Sequence, residues 1–187
     1  MAVCRLSGVL VVNRFITDTN PIIAAQHQCD KHLRKMIIEE AQMLSTAIRE
    51  THPHMVVPEL YKSVHQSHPC TLWAGASASN WLWAWKHFNA MCDEYVFRFG
   101  KTHATATKLR GVFKDVRNRL DFITSWSNVY HTPHPQCFGD WPYKTSEDWP
   151  VLAYRAYLRD YKPTVMKAPM TWTRSKQPHW FKKEDEA

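Results

Sequence analysis

The chain has 187 residues, of which 44% are hydrophobic and 13% are aromatic, with nine tryptophans. This composition excludes extensive disorder and is sufficient for one domain with a real hydrophobic core. The net charge of +7 at pH 7, with eleven histidines besides, favours an anionic partner such as nucleic acid, a nucleotide or an acidic surface, although ordinary solubility charge would give the same balance.

The sequence indicates neither a membrane segment nor a disulfide framework. No apolar run approaches the roughly 20 residues of a transmembrane helix, and the N-terminal stretch lacks the features of a signal peptide, so we predict no membrane association. The five cysteines include no CxxC pair and are widely scattered, at Cys4, Cys29, Cys70, Cys92 and Cys137. Their odd number and spacing are typical of free thiols in a reducing compartment.

The predicted elements begin with a short strand and continue with helices. Residues 8–16 are apolar and rich in β-branched side chains, which predicts one strand. Residues 18–21, Asp-Thr-Asn-Pro, then start a helix, since a capping residue ahead of proline is typical of a first turn. Helices are predicted at about 21–50, 71–99, 104–126 and 150–161. Gly100 is expected to stop the second helix, and Ser146 or Asp148 is expected to cap the last.

These elements predict a mainly α fold, a single-domain bundle of about four helices with one short N-terminal strand or strand pair. Residues 1–11 would form an N-terminal extension and residues 12–162 the helical body. Residues 163–187 would form an irregular tail rich in tryptophan and proline. The sequence shows no internal repeat and no clear domain boundary.

The first predicted helix carries a polar stripe beside its apolar arc when it is drawn as a helical wheel. The stripe consists of His32, Lys35, Glu39, Gln42 and Arg49. An exposed face with helix ion pairs would give the same pattern. A stripe that faces a cleft would instead place these groups at a reaction site. Glu40 falls inside the apolar arc, and the sequence alone does not explain it.

The second predicted helix carries a matching stripe. Asn80, His87, Glu94 and Lys101 recur every seven residues, which is nearly two turns, and Arg98 lies one turn beyond Glu94. A packed aromatic core with a solvated stripe is one interpretation. Two matched stripes also predict a buried polar groove between the helices, which would usually serve a function because unpaired buried charge is costly.

The groove hypothesis assigns chemical roles to these side chains. Glu39 would be the general base or acid, tuned by burial and by Lys35, and His32 would orient it or move a proton. Asp30 is included in the same catalytic group. Phosphate would be held by Arg98, Lys101 and His103. A base would be bound by Gln42, Asn80, Trp73 and Trp83.

Three further sets of residues carry weaker alternatives. His68 and Cys70, together with Cys29 and His32, could supply zinc ligands, but their spacing is not a recognised one, so we predict no metal. Cys70 could also be a nucleophile beside His68. The tail segments 171–174 and 178–181 combine aromatic rings with cations, which suits base stacking or simple anchoring of the tail. The sequence identifies no cofactor and no oligomeric state.

The residues of several short motifs along the chain form a recognisable set. They are Asp18, Pro21, Cys29, Asp30, Lys31, His32, Lys35, Met36, Glu39, Ala41, Gln42, His68, Pro69, Cys70, Trp73, Asn80, Trp81, Leu82, Trp83, Glu94, Tyr95, Arg98, Gly100, Lys101, His103, Pro135, Gln136, Ala153, Tyr154, Arg155, Trp172, Thr173 and Arg174. Over residues 12–181 the set resembles a family of small, mostly uncharacterised proteins of tailed bacteriophages. Phe99, where the family usually has tyrosine, and Arg174, directly after Thr173, are departures from the pattern.

The resemblance implies a viral origin and therefore the host cytoplasm, but it implies no reaction. Together with the basic charge and the polar stripes, it leads to the hypothesis of a phage enzyme that acts on nucleic-acid bases or nucleotides, in DNA base modification for example. Two alternatives stay open. One is a non-catalytic protein that binds single-stranded nucleic acid, and the other is a phage protein that binds a host protein.

Overall fold

The computed structural model describes residues 13–119, 126–138, 142, 144–145 and 150–182, and within these residues it is helical with no strand. The α-helices are α1 Pro21–Gln26, α2 Asp30–Thr51, α3 Pro69–Ala76, α4 Ala78–Phe99, α5 Ala104–Arg119, α6 Val151–Ala156 and α7 Lys162–Val165. A π-helical turn, Tyr157–Tyr161, joins α6 to α7. Short 3-10 helices cover Pro53–Met55 and His179–Phe181. The mainly α prediction is confirmed.

The helix predicted at 21–50 begins at Pro21 but is interrupted. Asn20 caps α1 by accepting a hydrogen bond from the Ile22 amide at 2.9 Å. The chain then leaves the helix, and Cys29 adopts an extended conformation as the N-cap of α2 without a side-chain cap. The amide of Asp30 is instead satisfied by the carbonyl of Thr171 in the tail, at 2.8 Å. The break is thus stabilised by a distant segment, which local sequence does not reveal.

The second predicted helix is also two helices, α3 and α4. Ser77 separates them in an extended conformation, and its hydroxyl accepts a hydrogen bond from the Asn80 amide at 3.1 Å. A serine at this position is a strong helix N-cap, so the sequence did hold a signal for the break. Gly100 ends α4 with φ of 65°, as predicted, because glycine takes this left-handed conformation without steric cost.

The last two predicted helices differ from the structure at their ends. Helix α5 is described to Arg119, and residues 120–125 of the predicted helix lie outside the described residues. The predicted helix at 150–161 begins at Val151 and continues through the π-helical turn into α7, as far as Val165. The predicted caps Ser146 and Asp148 lie outside the described residues.

The prediction of an N-terminal strand is wrong over residues 13–16, and residues 8–12 lie outside the described part. Residues 13–16 are extended and buried, but side chains rather than a second strand satisfy their backbone. The Asn13 amide donates to the Glu39 carboxylate at 3.0 Å, and the Phe15 carbonyl accepts from the Gln28 side chain at 3.4 Å. The segment therefore packs as extended chain against the helices.

The core forms where α1, α3 and α5 pack against α2 and α4. Contacts between Asp30 and Arg98 and between Glu40 and His87 show that α2 and α4 run antiparallel. Trp81 is fully buried in α4, and Phe88 meets Phe113 of α5 edge to face at 5.3 Å. Within the described ranges, no helix has both the length and the apolar character that crossing a bilayer requires.

Candidate functional site

The polar contacts between α2 and α4 are made by Glu40 and Asp30, not by the predicted stripe of α2. One Glu40 oxygen lies 2.9 Å from Arg14 Nε and 3.7 Å from His87 Nδ1. The Arg14 and Glu40 side chains are 0% and 2% exposed. Glu40 can lie in the apolar arc of α2 because its charge is paired with a buried cation, Arg14 of the segment 13–16.

The Arg14–Glu40 pair is embedded in protein contacts. Arg14 Nη1 donates to the Cys70 carbonyl at 3.2 Å, and its guanidinium lies 4.9 Å from the Trp73 ring centroid. Burial is the largest single effect and disfavours charge on both partners, but their mutual attraction together with contacts to neighbours such as His87 outweighs it, so the pKa of Arg14 is raised and that of Glu40 is lowered. This pair is a structural anchor with no face available to a ligand.

Arg98, a predicted phosphate ligand, is a second buried anchor. Its Nε donates to Glu94 at 2.7 Å, and its Nη1 lies 3.1 Å from Asp30 Oδ1. Its remaining donors bind the carbonyls of Gln28 at 2.7 Å and Gln26 at 2.8 Å, where α1 ends. The side chain is 0% exposed. The guanidinium is satisfied by protein groups, so we do not retain it as a phosphate ligand.

Asp30, a predicted catalytic residue, anchors the C-terminal tail. Its carboxylate accepts from the Thr173 amide at 3.1 Å, from the Thr173 hydroxyl at 2.7 Å and from the Thr171 hydroxyl at 3.0 Å. Burial opposes its ionisation, but these hydrogen bonds and the one from Arg98 hold its pKa below the usual value. Asp30 therefore belongs with Arg98 and the tail rather than with Glu39.

The other two predicted phosphate ligands do not assemble around Arg98. Lys101 is exposed just beyond the end of α4. His103 accepts from the Thr105 amide at 3.2 Å, at the start of α5, and its ring meets Tyr95 edge to face at 4.9 Å. Burial lowers the pKa of His103. The predicted cluster of three phosphate ligands is thus divided between the interior and the surface.

Three of the predicted base-binding residues are core residues. Asn80 donates to the Trp73 carbonyl at 2.8 Å and accepts from the Thr132 amide at 3.0 Å. Trp73 and Trp83 are 4% and 7% exposed, and their indole N–H groups donate to the carbonyls of Thr132 and Thr19. None of the three presents a free face for a base. Gln42 is partly buried on α2, about one turn beyond Glu39.

The remaining predicted catalytic residues, Glu39, Lys35 and His32, do lie together on α2. Lys35 Nζ is 2.8 Å from Glu39 Oε1, and the other carboxylate oxygen accepts from the Asn13 amide at 3.0 Å. The Glu39 side chain is 7% exposed, whereas that of Lys35 is 47% exposed. The His32 ring packs against Phe15 at 4.9 Å. These groups face the extended segment rather than α4.

Lys162 of α7 also lies close to this group, and it was not predicted from the sequence. Lys162 lies in the first turn of α7, with its amine 5.9 Å from the Phe15 ring and 5.8 Å from the Tyr157 ring. Its pKa is lowered by burial and by Lys35, against the opposing effect of Glu39. Lys31, exposed on α2, acts on it in the same direction as Lys35. No local pattern could connect Lys162 with residues of α2 so far away in sequence.

We call Lys31, Lys35 and Lys162 the lysine cluster. Lys162 is repelled by Lys35 and Lys31 and attracted by Glu39, and Lys35 pairs with Glu39. Three ammonium groups and one carboxylate leave an excess of two positive charges, which an anion would relieve. Aromatic rings border the cluster, because Tyr161, which is 42% exposed, stacks on Tyr157 at 5.3 Å. Cations suit a phosphate, an exposed ring suits stacking of a planar group, and a held carboxylate suits acid–base chemistry.

His32 gives the protein a specific acid sensitivity. Burial, and then Lys162, Lys35 and Lys31, lower its pKa to about 3. Between about pH 6.5 and about pH 3, His32 is protonated in the unfolded chain but not in the folded chain. The free energy of unfolding therefore falls as the pH drops across this range. His32→Phe should remove up to ~1.4 kcal/mol per pH unit of this slope. Urea unfolding across this range measures it, with His54→Phe, at an exposed histidine, as the control. Equal slopes in both variants would contradict this origin.

A separate pocket of about 680 Å³ lies between α1, α4 and α5. Its lining includes Trp85, Phe97, Lys86 and Lys114, and none of the residues of the lysine cluster. Arg110, also in its wall, is paired with Asp93 at 2.6 Å. The pocket therefore offers aromatic surface and cations, and the nearly buried carboxylate in its wall, Glu94, is paired with Arg98 rather than with a lysine.

The tail and the cysteines complete the account of the predicted residues. The indole N–H of Trp172 donates to the His27 carbonyl at 3.1 Å, and Trp180 packs edge to face on the His27 ring at 5.5 Å. These rings thus anchor the tail, which is the alternative to base stacking. The metal-ligand group that the described residues form includes His68 and Cys70, but not Cys29 or His32. The described cysteines are free and buried.

Comparisons with protein-family models, with curated proteins and with solved structures find no significant match to this chain.

Proposed function

We propose that the protein binds a phosphorylated nucleotide, or the end of a nucleic-acid strand, at the lysine cluster, and that Glu39 acts on it as a general base or acid. The observation that carries this proposal is that Lys35 pairs with the nearly buried carboxylate of Glu39, while Lys162 is electrostatically coupled to Glu39, Lys35 and Lys31. Such an arrangement holds excess positive charge that a phosphate would neutralise.

The aromatic border of the cluster supports a nucleotide over a simple inorganic anion. Tyr161 and Tyr157 are stacked, and Tyr161 is the more exposed ring. A base stacked on Tyr161 would keep its phosphate near Lys162, the next residue in the chain, and would place its polar edge toward α2. Gln42, about one turn beyond Glu39, is then the candidate for reading that edge.

The surroundings of Glu39 favour the role of base in the resting protein. Its carboxylate accepts a hydrogen bond from the Asn13 amide and pairs with Lys35, and both contacts stabilise the ionised form. Neutral His32, about two turns before Glu39 on the same helix, could pass on a proton without bringing a further charge. Within this proposal, DNA base modification is one example of the reaction, and the resemblance to phage proteins bears on the origin of the protein alone.

Binding should depend on the lysine cluster. We expect Lys162→Met and Lys35→Met each to weaken binding of a nucleoside monophosphate about 10–100-fold, as the loss of one charge-assisted contact implies. Methionine keeps the aliphatic packing of each lysine. Tryptophan fluorescence titrations at several salt concentrations measure this, and each variant should reduce the salt dependence of single-strand binding by about one phosphate contact.

Matched controls come from two lysines of the separate pocket between α1, α4 and α5. Lys86→Met and Lys114→Met should leave binding unchanged. If they weaken it and the cluster variants do not, the site is the pocket of Trp85 and Phe97. That outcome would favour the second candidate function, a non-catalytic protein that stacks single-stranded bases there. No response to nucleotide or nucleic acid would contradict both and would leave a host protein as the partner.

Catalysis is tested separately with Glu39→Gln. Glutamine can still accept from the Asn13 amide but cannot take a proton. We expect nucleotide binding to persist while conversion of a nucleotide or DNA base, followed by mass spectrometry of the incubated substrates, is lost. Conversion at an undiminished rate would exclude Glu39 as the base.

A further inference from the structure

His68, Cys70 and Cys137 lie together, away from the lysine cluster. Cys70 is in the first turn of α3, and Cys137 comes from the segment 126–138. Their sulfur atoms are 3.6 Å apart, and a ring nitrogen of His68 lies within 4.8 Å of both. From the sequence alone, His68 and Cys70 could be grouped as metal ligands only with Cys29 and His32. The fold supplies Cys137 instead.

The spacing of the two sulfur atoms fits a single metal ion. In tetrahedral zinc sites with Zn–S bonds of about 2.3 Å, two thiolate sulfurs are about 3.8 Å apart. The observed distance of 3.6 Å therefore needs almost no movement of either side chain. Two thiolates and one imidazole are a common ligand set for zinc, and the two negative charges would balance the charge of the ion.

The surroundings of the group are closed, and the Arg14–Glu40 pair lies beside it, since Arg14 donates to the Cys70 carbonyl at 3.2 Å. Cys70 is 0% exposed, Cys137 is 7% exposed, and both pack with Met43 in one buried cluster. His68 Nδ1 accepts from the Cys70 amide at 3.2 Å, while its Nε2 is buried with no hydrogen-bond partner among the described residues. A metal ion would bind a ring nitrogen of His68 after a shift of the ring, because the three ligand atoms lie within 4.8 Å of one another.

We propose that His68, Cys70 and Cys137 bind one zinc ion, which ties the start of α3 to the segment 126–138. Binding converts both thiols to thiolates and releases two protons, and no electron is transferred. With three protein ligands, the fourth position is left for water or another ligand, as in zinc sites that are not fully enclosed by protein ligands. The inference is independent of nucleotide binding at the lysine cluster.

The experiment is metal titration of the reduced full-length protein after chelator treatment. We expect one equivalent of zinc to bind, and one equivalent of cobalt(II) to give thiolate-to-cobalt charge-transfer bands that zinc abolishes. The urea midpoint of the wild-type protein should rise with added zinc. Each of these signals should be lost in Cys137→Ser.

Two further variants separate loss of a ligand from loss of the fold. His68→Asn removes the imidazole but keeps a side-chain acceptor for the Cys70 amide, because asparagine is a good helix N-cap. It should fold normally without zinc and lose the charge-transfer bands. Cys92→Ser alters a buried thiol outside the group and should retain them.

The proposal is overturned if folded wild-type protein binds no zinc, or if Cys92→Ser loses the bands as completely as Cys137→Ser. Unchanged cobalt spectra in His68→Asn would also overturn the assignment of the imidazole. Binding of copper(I) alone, without zinc or cobalt, would contradict the assignment of zinc.

Discussion

Replacement of Glu40 by alanine is expected to lower the free energy of unfolding by about 3–5 kcal/mol. The substitution leaves the Arg14 guanidinium fully buried without its carboxylate, and the Cys70 carbonyl that it also contacts carries no compensating charge. Removal of one partner of a buried pair is far more costly than the net contribution of the pair, because an unpaired charge stays in the protein interior. Urea unfolding followed by tryptophan fluorescence measures the change.

Two comparisons make this prediction specific to burial. Asp93→Ala breaks the exposed pair with Arg110 and should lower stability by less than about 1 kcal/mol. The double replacement of Arg14 and Glu40 by methionine removes both charges and should be less destabilising than Glu40→Ala alone. If Glu40→Ala is no worse than Asp93→Ala, Arg14 does not depend on Glu40 for its burial.

The same pair positions the candidate site. Arg14 follows Asn13, whose amide holds Glu39, and precedes Phe15, whose ring packs on His32. The ion pair thus fixes an extended segment that has no strand partner within the described residues. Partial loosening of this segment in Glu40→Ala should therefore weaken nucleotide binding as well, even under conditions where the variant is folded.

Much of the helical fold could be predicted from sequence because its signals are local. Pro21 after a capping residue starts α1, and Gly100 stops α4 in the left-handed conformation. The break before Asp30 could not be predicted, because the amide of Asp30 is satisfied by Thr171 of the tail. That contact spans most of the chain, and no helix-capping rule refers to it.

The candidate site, like the fold, could be predicted only where its contacts are local in sequence. Lys35 and Glu39 were grouped correctly, since residues four apart on a helix are neighbours whatever the helix packs against. Whether a polar residue faces solvent or a buried partner depends on tertiary packing, so Asn80 and Arg98 could not be recognised as structural. Lys162 was missed because it joins the group only through the packing of α7 near α2.

Replacement of Arg98 by methionine is expected to cost about 3–5 kcal/mol, because it leaves two carboxylates without their shared cation. Asp30 and Glu94 would stay in a largely buried site, and the carbonyls of Gln26 and Gln28 would lose their donors. Arg110→Met, at a partly exposed arginine, is the matched control and should cost less than about 1 kcal/mol.

The tail should loosen in Arg98→Met more than the fold as a whole. Asp30 holds Thr171 and Thr173, and Glu94 is hydrogen-bonded by Ser175, so both partners of Arg98 also hold the tail. Trypsin should therefore cleave after Arg174, which lies in that segment, faster than in the wild-type protein under native conditions.

This variant also decides between a structural and a ligand-binding arginine. A structural Arg98 predicts lower stability and faster tail cleavage, with nucleotide affinity unchanged wherever the protein is folded. A phosphate ligand would give the reverse, a loss of affinity with little change in stability. Because the guanidinium is 0% exposed and contacts two carboxylates and two carbonyls, we expect the first result. The second would return the phosphate site to the end of α4.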